Sequence, residues 1–492
     1  MSNQDIHDAA KNGDISRLTN LINSRVSVDV RGQYNYCPLH YAALYGHSDA
    51  LQLLVDAKAN VDVQDIGGWT PIHRAADNGH SGAVQALINA KPSLDVLNSS
   101  GWTPLHCAAV KGHSGIAQML INANASVDIQ NSHGLAPMHL AAWNGHSTAV
   151  QLLVDAKASP DVQNGDGWTP MHRAAEYGHC GVVQVLVDAK ANVDVKDKSG
   201  STSMHRAATN GCSGAVQLLA DAKGCLDVQD NGGWTPMHFA AWGGYRDTVQ
   251  MLVDAKAKVD VQDNSGKTPI HNAANHGHSG AVQLLVDSKA YVDMQDKSGS
   301  TPMHYAARFG HSDAVRVLVG AKAGVNVQDD KGWTPIDNAA WNGHSGAVQL
   351  LVDAKANVNV QNSSGMTPLH HAAANGNRDV VQVLVNANAS VDVHDNSGST
   401  PMHYAAANGD SDAVQVLVDT KANIDVPDSD GMTPMHHAVT NGDSDMMQLL
   451  VDAKAKIDLQ DNSGSTPLHH VATNGDSDAM QVLVNSMLPS SK

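Results

Sequence analysis

Large aromatic residues are scarce in this chain of 492 residues, which contains two phenylalanines, eight tryptophans and nine tyrosines. A core built mainly from alanine, valine and leucine favours thin, closely packed elements over one deep globular centre. The sequence also lacks any apolar run of about 18 residues, the length that a membrane-spanning helix requires. We therefore expect stacked small elements and no membrane insertion.

Positive charge is also in short supply, and the formal net charge is -18. This balance argues against nucleic acid as a partner, because its binding depends on lysine and arginine displacing counterions. It argues equally against anionic membrane surfaces. Partners that carry basic patches stay open.

Cysteine is rare, with five in the chain and no CxxC motif, so the sequence does not predict a disulfide framework. This usage favours a reducing compartment. The polar and acidic start, MSNQDIHDAAKNGD, does not have the pattern of a signal peptide. We expect a cytoplasmic protein, and export without a cleaved signal, such as delivery into a host cell, stays open.

One motif, Thr-Pro-x-His, recurs through the whole chain, with successive histidines 33 residues apart. The interval doubles once, where Asp337 replaces the histidine. Counted from Met1, fifteen units fill the chain without an insertion. We expect one domain over 1–492, with an N-terminal capping repeat at 1–33, thirteen internal repeats at 34–462 and a C-terminal capping repeat at 463–492.

Within a unit, the local signals predict two short helices followed by a hairpin or loop. In the unit that contains WTPMHRAAEYGH, Thr169 is a good N-cap and Pro170 suits the first helical position. His172 then falls where its side chain can bond back to the cap. Gly178 ends the first helix. A second helix follows, with Val183, Leu186 and Val187 on one apolar face.

The pattern GxTPLHxAAxxGH resembles the ankyrin repeat across essentially the whole chain. The resemblance implies an all-α solenoid of helix-turn-helix units with protruding hairpins, curved so that a concave groove forms. It also implies a non-enzymatic scaffold or adaptor for protein–protein interaction. One departure is that the glycine usual after the second helix, where φ is positive, is replaced by lysine or asparagine, as at Lys58, Asn124, Lys157, Lys190, Lys355 and Asn388.

The aromatic residues concentrate where the resemblance places partner contacts. When each repeat is numbered 1–33, all eight tryptophans fall at position 3 or 11, while positions 8 and 12 vary among aromatic, arginine and polar residues. Trp, Tyr and Arg dominate binding hot spots. The alternative is that these rings only pack. We expect the protein-binding residues to be Trp69, Arg74, Trp102, Trp143, Trp168, Arg173, Tyr177, Arg206, Trp234, Phe239, Trp242, Tyr305, Arg308, Phe309, Trp333 and Trp341.

Metal and enzyme functions find little support in the sequence. The histidines at positions 7 and 14 resemble the family's structural histidines, so we expect no metal and no cofactor. The acidic pairs in NGDSD lack the glycine and terminal glutamate of a calcium loop. We expect these acids to cap helices: Asp410 and Asp412, Asp443 and Asp445, and Asp476 and Asp478. An acidic ridge for a basic partner is the alternative. No nucleophile elbow, phosphate loop or kinase signature is present.

Protein binding is therefore the leading hypothesis, with a monomer expected and one or more proteins as partners. Three alternatives stay open. The first is nucleotide or small-ligand binding, with bases stacked on tryptophan near Arg74, Arg173 and Arg206. The second is an effector delivered into a host cell by a microbe, and the third is a passive spacer. The resemblance also implies hydroxylation of hairpin asparagines, for which Asn326 and Asn359 are the matching positions.

Overall fold

The computed structural model describes residues 3–487, and the described residues form helices and turns without a β-strand. A short 3-10 helix occupies Gln33–Asn35. The α-helices come in pairs, one pair per repeat, as predicted. Their bounds are α1 Asn3–Asn12, α2 Ile15–Asn23, α3 Pro38–Tyr45, α4 Ser48–Asp56, α5 Pro71–Asp77, α6 Ser81–Asn89, α7 Pro104–Lys111, α8 Ser114–Asn122, α9 Pro137–Trp143, α10 Ser147–Asp155, α11 Pro170–Glu176, α12 Cys180–Asp188, α13 Ser203–Thr209, α14 Ser213–Asp221, α15 Pro236–Trp242, α16 Arg246–Asp254, α17 Pro269–Asn275, α18 Ser279–Asp287, α19 Pro302–Arg308, α20 Ser312–Gly320, α21 Pro335–Trp341, α22 Ser345–Asp353, α23 Pro368–Ala374, α24 Arg378–Asn386, α25 Pro401–Ala407, α26 Ser411–Asp419, α27 Pro434–Asn441, α28 Ser444–Asp452, α29 Pro467–Asn474 and α30 Ser477–Met487.

The helices pack in two layers. Each first helix packs against the first helix of the next repeat along α1–α13 and along α17–α29, and the second helices do the same along α2–α14 and α18–α30. Paired alanines make this close approach available: Ala174 and Ala175 of α11 are fully buried. Val183 and Leu186 of α12 are also fully buried, as their spacing predicts, whereas Val187 is half-buried. Small residues in one layer and branched residues in the other therefore form the core.

The first helix of a repeat begins with the threonine cap that the sequence predicts. Thr70 precedes α5 with extended backbone angles, and Pro71 takes the first helical position. The Thr70 amide donates to Nδ1 of His73 at 3.2 Å, and the Thr70 hydroxyl donates to the same atom at 2.7 Å. The first helix ends at a glycine of positive φ, such as Gly79 at 78°. A Cβ there would lie 2.9 Å from Cε1 of His113, so glycine is required sterically as well as conformationally.

The described chain divides into two compact units. One consists of Met1–Ala240 with Gln250–Ala257, and the other of Ala241–Val249 with Lys258–Lys492. The single domain over 1–492 and its two capping repeats stay predictions. Residues 1–2 of the expected N-terminal cap and residues 488–492 of the expected C-terminal cap lie outside the described residues. Among the helices described here, none is long and apolar enough to cross a membrane.

The lysine after the second helix adopts the left-handed conformation, as predicted, with φ of 60° at Lys190 and 68° at Lys157. Because a side chain is strained there, Lys190→Gly should raise the free energy of unfolding by up to about 1 kcal/mol. Gln184→Gly, in the exposed middle of α12, should lower it by about 1 kcal/mol. Urea unfolding followed by circular dichroism measures both. A Lys190→Gly variant that is no more stable than the parent would show that this backbone is unstrained.

Candidate functional site

The position 7 histidines tie each repeat to the next. Nδ1 of His106 accepts the Thr103 amide, so the ring hydrogen lies on Nε2, which donates to the Leu135 carbonyl at 2.9 Å. His139 makes the same pair of bonds, with the Trp168 carbonyl as its acceptor. Burial lowers the pKa of His106 and His139 to about 4, which keeps the rings neutral near pH 7. Both ring nitrogen atoms make hydrogen bonds, so these histidines have the structural role that we expected. We call the repeats that they join the frame.

The position 14 histidines reach in the opposite direction. Nε2 of His179 donates to the Trp143 carbonyl of the preceding repeat at 3.0 Å, and His80 donates to the Leu44 carbonyl at 3.0 Å. The two histidine rows thus join neighbouring repeats at both ends of the first helix. This fixes the place of the residues between them, at positions 8, 11 and 12, which with position 3 we call the variable face.

The residue at position 32 joins the turn to the variable face of the next repeat. Oδ1 of Asp65 accepts the amides of Gly67 and Trp69, at 2.8 and 3.0 Å. Oδ2 of Asp65 then pairs with the Arg74 guanidinium at 2.5 Å. The same pairing of positions 32 and 8 recurs at Asp197–Arg206, Asp296–Tyr305, Asp395–Tyr404, Asp428–His437 and Asp461–His470. This pairing was not predicted from the sequence.

Several predicted contact residues are therefore already engaged within the chain. The Arg74 guanidinium lies 4.4 Å from the centre of the Trp69 ring. Trp168 contacts the guanidinium groups of Arg173 and Arg206, at 4.2 and 4.3 Å. The position 3 tryptophans are half-buried, and the rings of Trp69 and Trp168 lie against arginine side chains. They support the variable face more than they project from it.

The aromatic rings at positions 11 and 12 are the exposed part of the variable face. Trp143 is 37% exposed and Tyr177 is 50% exposed, and the two rings stack at 6.4 Å. The Arg173 guanidinium also lies over the Trp143 ring, 4.3 Å from its centre. In the second unit, the exposed rings of this kind are Trp242, Phe309 and Trp341.

The remaining predicted contact residues also divide into those that pack within the chain and those that are exposed. Phe239 packs 4.9 Å from the half-buried Trp234 ring. The Tyr305 hydroxyl donates to Asp296 at 2.6 Å, and Trp333 packs 4.2 Å from the buried His371 ring. Arg308 is exposed beside Phe309. The structure brings Trp69, Trp102, Trp143 and Arg173 around one cavity, and leaves the others apart from it.

That cavity, of about 810 Å³, lies on the variable face of repeats 3–6, entirely within the first unit. Asn98, Asn131 and Asn164 line it at position 32, where the repeats on either side carry aspartate. Asn131 is 6% exposed, and its Nδ2 is buried without a hydrogen-bond partner. An orphaned buried donor of this kind costs about 1–3 kcal/mol. The cavity and its asparagines were not predicted from the sequence.

The family model for ankyrin repeats, which describes three copies, matches the chain in overlapping ranges from residue 6 to residue 490. The chain belongs to the ankyrin repeat family. Ankyrin repeats generally mediate protein–protein interaction and are generally non-enzymatic. A comparison with curated proteins gave no match. The matched ranges are 6–96, 39–131, 82–164, 138–230, 171–263, 213–296, 239–329, 270–362, 307–396, 336–428 and 421–490.

Two side-chain groups near the end of the ankyrin array have the composition of a metal site, which sequence analysis did not identify. They are His403 with Asp428 and His437, and His436 with Asp461 and His470. Nδ1 of His403 accepts the Thr400 amide, so Nε2 carries the hydrogen and donates to the Met432 carbonyl. His403 therefore offers no lone pair to an ion. The group works as an inter-repeat bond beside an Asp428–His437 pair at 2.9 Å.

The acidic NGDSD units cap helices, as predicted. Oδ1 of Asp410 accepts the Ala413 amide at 3.1 Å, and Oδ1 of Asp443 accepts the Met446 amide at 2.9 Å. The hairpin asparagines also have a structural contact: Asn326 accepts the Asn357 amide and Asn359 accepts the Ser390 amide, each at 2.7 Å. Both asparagines are exposed. Their hydroxylation stays a prediction.

Asp337 breaks the histidine row. Its Oδ2 accepts the Thr334 amide and hydroxyl, but its buried Oδ1 has no partner, and burial raises its pKa to about 7. His371 Nε2 lies 3.9 Å from Oδ1, yet burial lowers the pKa of His371 to about 3. Both groups are driven towards their neutral forms, so this contact is not an ion pair. The ankyrin junction after repeat 11 is thereby weakened.

Asp337→His should repair this junction, because histidine can donate to the next repeat as it does elsewhere. We expect a gain of about 1–3 kcal/mol in unfolding free energy at pH 8. The raised pKa of Asp337 means that its protonated form is tolerated below pH 7 and its charged form is penalised above, so the gain should shrink at pH 5. Urea titrations at both pH values measure it. Asp353→His, at the exposed end of α22, is the control and should change the free energy of unfolding by no more than about 0.5 kcal/mol. Equal effects of the two substitutions would show that the junction at Asp337 is not weakened.

Acid should destabilise the ankyrin array as a whole. The buried position 7 histidines, such as His73 and His172, have pKa values lowered to about 4, whereas an unfolded histidine binds a proton near pH 6.5. As the pH falls, the unfolded state therefore binds protons before the folded state does. This lowers the free energy of unfolding by up to about 2 kcal/mol per histidine by pH 5. Urea midpoints at pH 7, 6 and 5 should fall. His172→Gln should be less stable at pH 7 but lose less on acidification, and a pH-independent midpoint would refute the neutral-histidine frame.

Proposed function

We propose that this ankyrin protein is a non-enzymatic scaffold or adaptor that binds partner proteins through the aromatic part of its variable face. One observation carries the proposal: large aromatic rings are exposed there. Trp143 and Tyr177, 37% and 50% exposed, stack on each other rather than on the core. Trp and Tyr supply large contact areas at low entropic cost and are typical anchors of interfaces.

These rings are held in place before a partner arrives. The Arg173 guanidinium lies between Trp143 and Trp168, 4.3 and 4.2 Å from their ring centres, and its charge pairs with Glu176 at 3.2 Å. A surface that is ordered in the free protein loses less conformational entropy on binding. Comparable exposed rings in the second unit, at Trp242, Phe309 and Trp341, favour more than one contact region.

The arginine contacts favour protein over nucleotide as the ligand. The nucleotide hypothesis depends on Arg74, Arg173 and Arg206 meeting phosphate. Each guanidinium already pairs with a carboxylate, of Asp65, Glu176 and Asp197 respectively. A phosphate would have to displace these carboxylates.

Trp143→Ala/Tyr177→Ala should weaken the binding of a partner protein to the variable face at least ten-fold, because removal of a hot-spot ring costs about 2 kcal/mol or more of binding free energy. The matched control is Gln151→Ala/Gln184→Ala, exposed on the second helices α10 and α12 of the same two repeats. Affinity capture with mass spectrometry, followed by titration of each captured protein, measures both. Circular dichroism confirms that both variants fold. Loss of binding in the control instead, or in neither variant, would contradict the proposal.

A further inference from the structure

We propose that the cavity of repeats 3–6 takes an extended proline-rich segment of a partner protein, with peptide carbonyls bonded to the asparagine amides and apolar rings set against the tryptophans. This inference rests on the proposed function and specifies the chemistry of the partner. Trp69, Trp102 and Trp143 line the cavity together with Asn98, Asn131 and Asn164.

The cavity exists because the position 8 arginines are interrupted. Arg74 and Arg173 occupy position 8 on either side, whereas Cys107 and Leu140 occupy it between them. Leu140, which lines the cavity, carries no guanidinium of the kind that Arg74 places over Trp69 in the flanking repeat. Among the described residues, no cation lies over the Trp102 ring, unlike those of Trp69 and Trp168. The apolar part of the cavity is therefore open to a ligand.

The asparagine amides present donors and no acceptors. Oδ1 of Asn98 accepts the amides of Ser100 and Trp102 at 2.9 Å, and Oδ1 of Asn131 accepts those of His133 and Leu135 at 2.9 Å. Asn164 makes the equivalent bonds with its own turn. Each Nδ2 must then face away from the turn. Nδ2 of Asn131 has no hydrogen-bond partner, and only 6% of this residue is exposed.

This arrangement reverses the polarity found in the flanking repeats. Asp65 and Asp197 present a carboxylate oxygen that accepts from arginine. Asn131 carries N–H groups where those aspartates carry an acceptor, and Leu140, which lines the same cavity, offers no acceptor. A ligand that fits must bring acceptors and need few in return. A proline-rich peptide has carbonyl groups but few backbone N–H groups, which satisfies both conditions.

Spacing and charge support the same ligand. Packed helices lie about 8–10 Å apart, so equivalent side chains recur at that interval. A polyproline II helix advances about 9 Å per turn of three residues, and aromatic-lined grooves bind it readily. The charges around the cavity include Asp77, Asp166, Lys111 and Arg173, two of each sign. That balance suits an uncharged segment over a strongly charged ligand.

The test uses two fluorescein-labelled peptides with the full-length chain. One is (Pro-Pro-Leu)₄, which forms a polyproline II helix with one leucine per turn. The other, (Ser-Gly-Leu)₄, keeps the leucine spacing but is flexible and carries backbone N–H groups. Fluorescence anisotropy should show saturable binding of the first, at least ten-fold tighter than the second. Equal affinities, or no binding of either, would overturn the proposal.

The decisive variant is Asn131→Asp/Leu140→Arg, which builds the pair seen at Asp65–Arg74 and so fills the cavity with a partnered side chain. It should fold at least as stably as the parent and bind (Pro-Pro-Leu)₄ at least ten-fold more weakly. Asn131→Asp alone leaves the cavity open but removes the donor, and it should also weaken binding. Tyr404→Phe, on the second unit, should bind as the parent does. Unchanged binding by the double variant would overturn the proposal.

Failure here is distinguishable from failure of the proposed function. Asn131→Asp/Leu140→Arg retains Trp143 and Tyr177. If the peptide does not bind while Trp143→Ala/Tyr177→Ala still releases a captured protein, the proline-rich occupant is wrong and the protein-binding face stands. If neither variant alters any interaction, both proposals fail.

Discussion

One hydrogen bond, from histidine Nε2 to a carbonyl 29 residues further along the chain, holds the repeats of this protein in register. It exists only for a neutral ring, because Nδ1 must accept the amide of the preceding threonine while Nε2 donates. Burial secures that state by lowering the pKa of His73 to about 4. Asp337 shows what the arrangement requires: a carboxylate can accept from Thr334 but cannot donate onward, and one of its oxygens is left buried without a partner.

Once the frame is fixed, the variable face can change without changing the fold. Position 8 decides its local chemistry. An arginine such as Arg74 meets the aspartate of the preceding turn and fills the space beside a tryptophan. Leu140 fills less space and leaves Asn131 unpaired, which produces a cavity in the same frame. A solenoid whose stability is a sum of neighbouring interfaces tolerates such exchanges repeat by repeat.

The parts of the structure that local chemistry determines were predictable from the sequence. The caps at Thr169 and Pro170 and the positive φ of Lys190 each depend on a few adjacent residues. The pairing of Asp65 with Arg74 was missed, because it joins residues in different repeats and depends on side-chain conformation. The arginines and position 3 tryptophans were consequently expected to be freer than they are. The available signal was that an aspartate at position 32 stands nine residues before a side chain able to pair with it in several repeats, as at Asp197 and Arg206.

We propose that the histidine-joined repeats are structural and that the exposed rings of the variable face make the contacts with partner proteins. Hydroxyl-radical footprinting of the chain in buffer and in cell lysate, read residue by residue by mass spectrometry, tests it most directly. Trp143 and Tyr177 should lose reactivity in lysate, while Tyr291, 57% exposed but outside the variable face, should keep it. Protection of Tyr291 with unchanged reactivity at Trp143 and Tyr177 would contradict the claim and move the contact surface elsewhere.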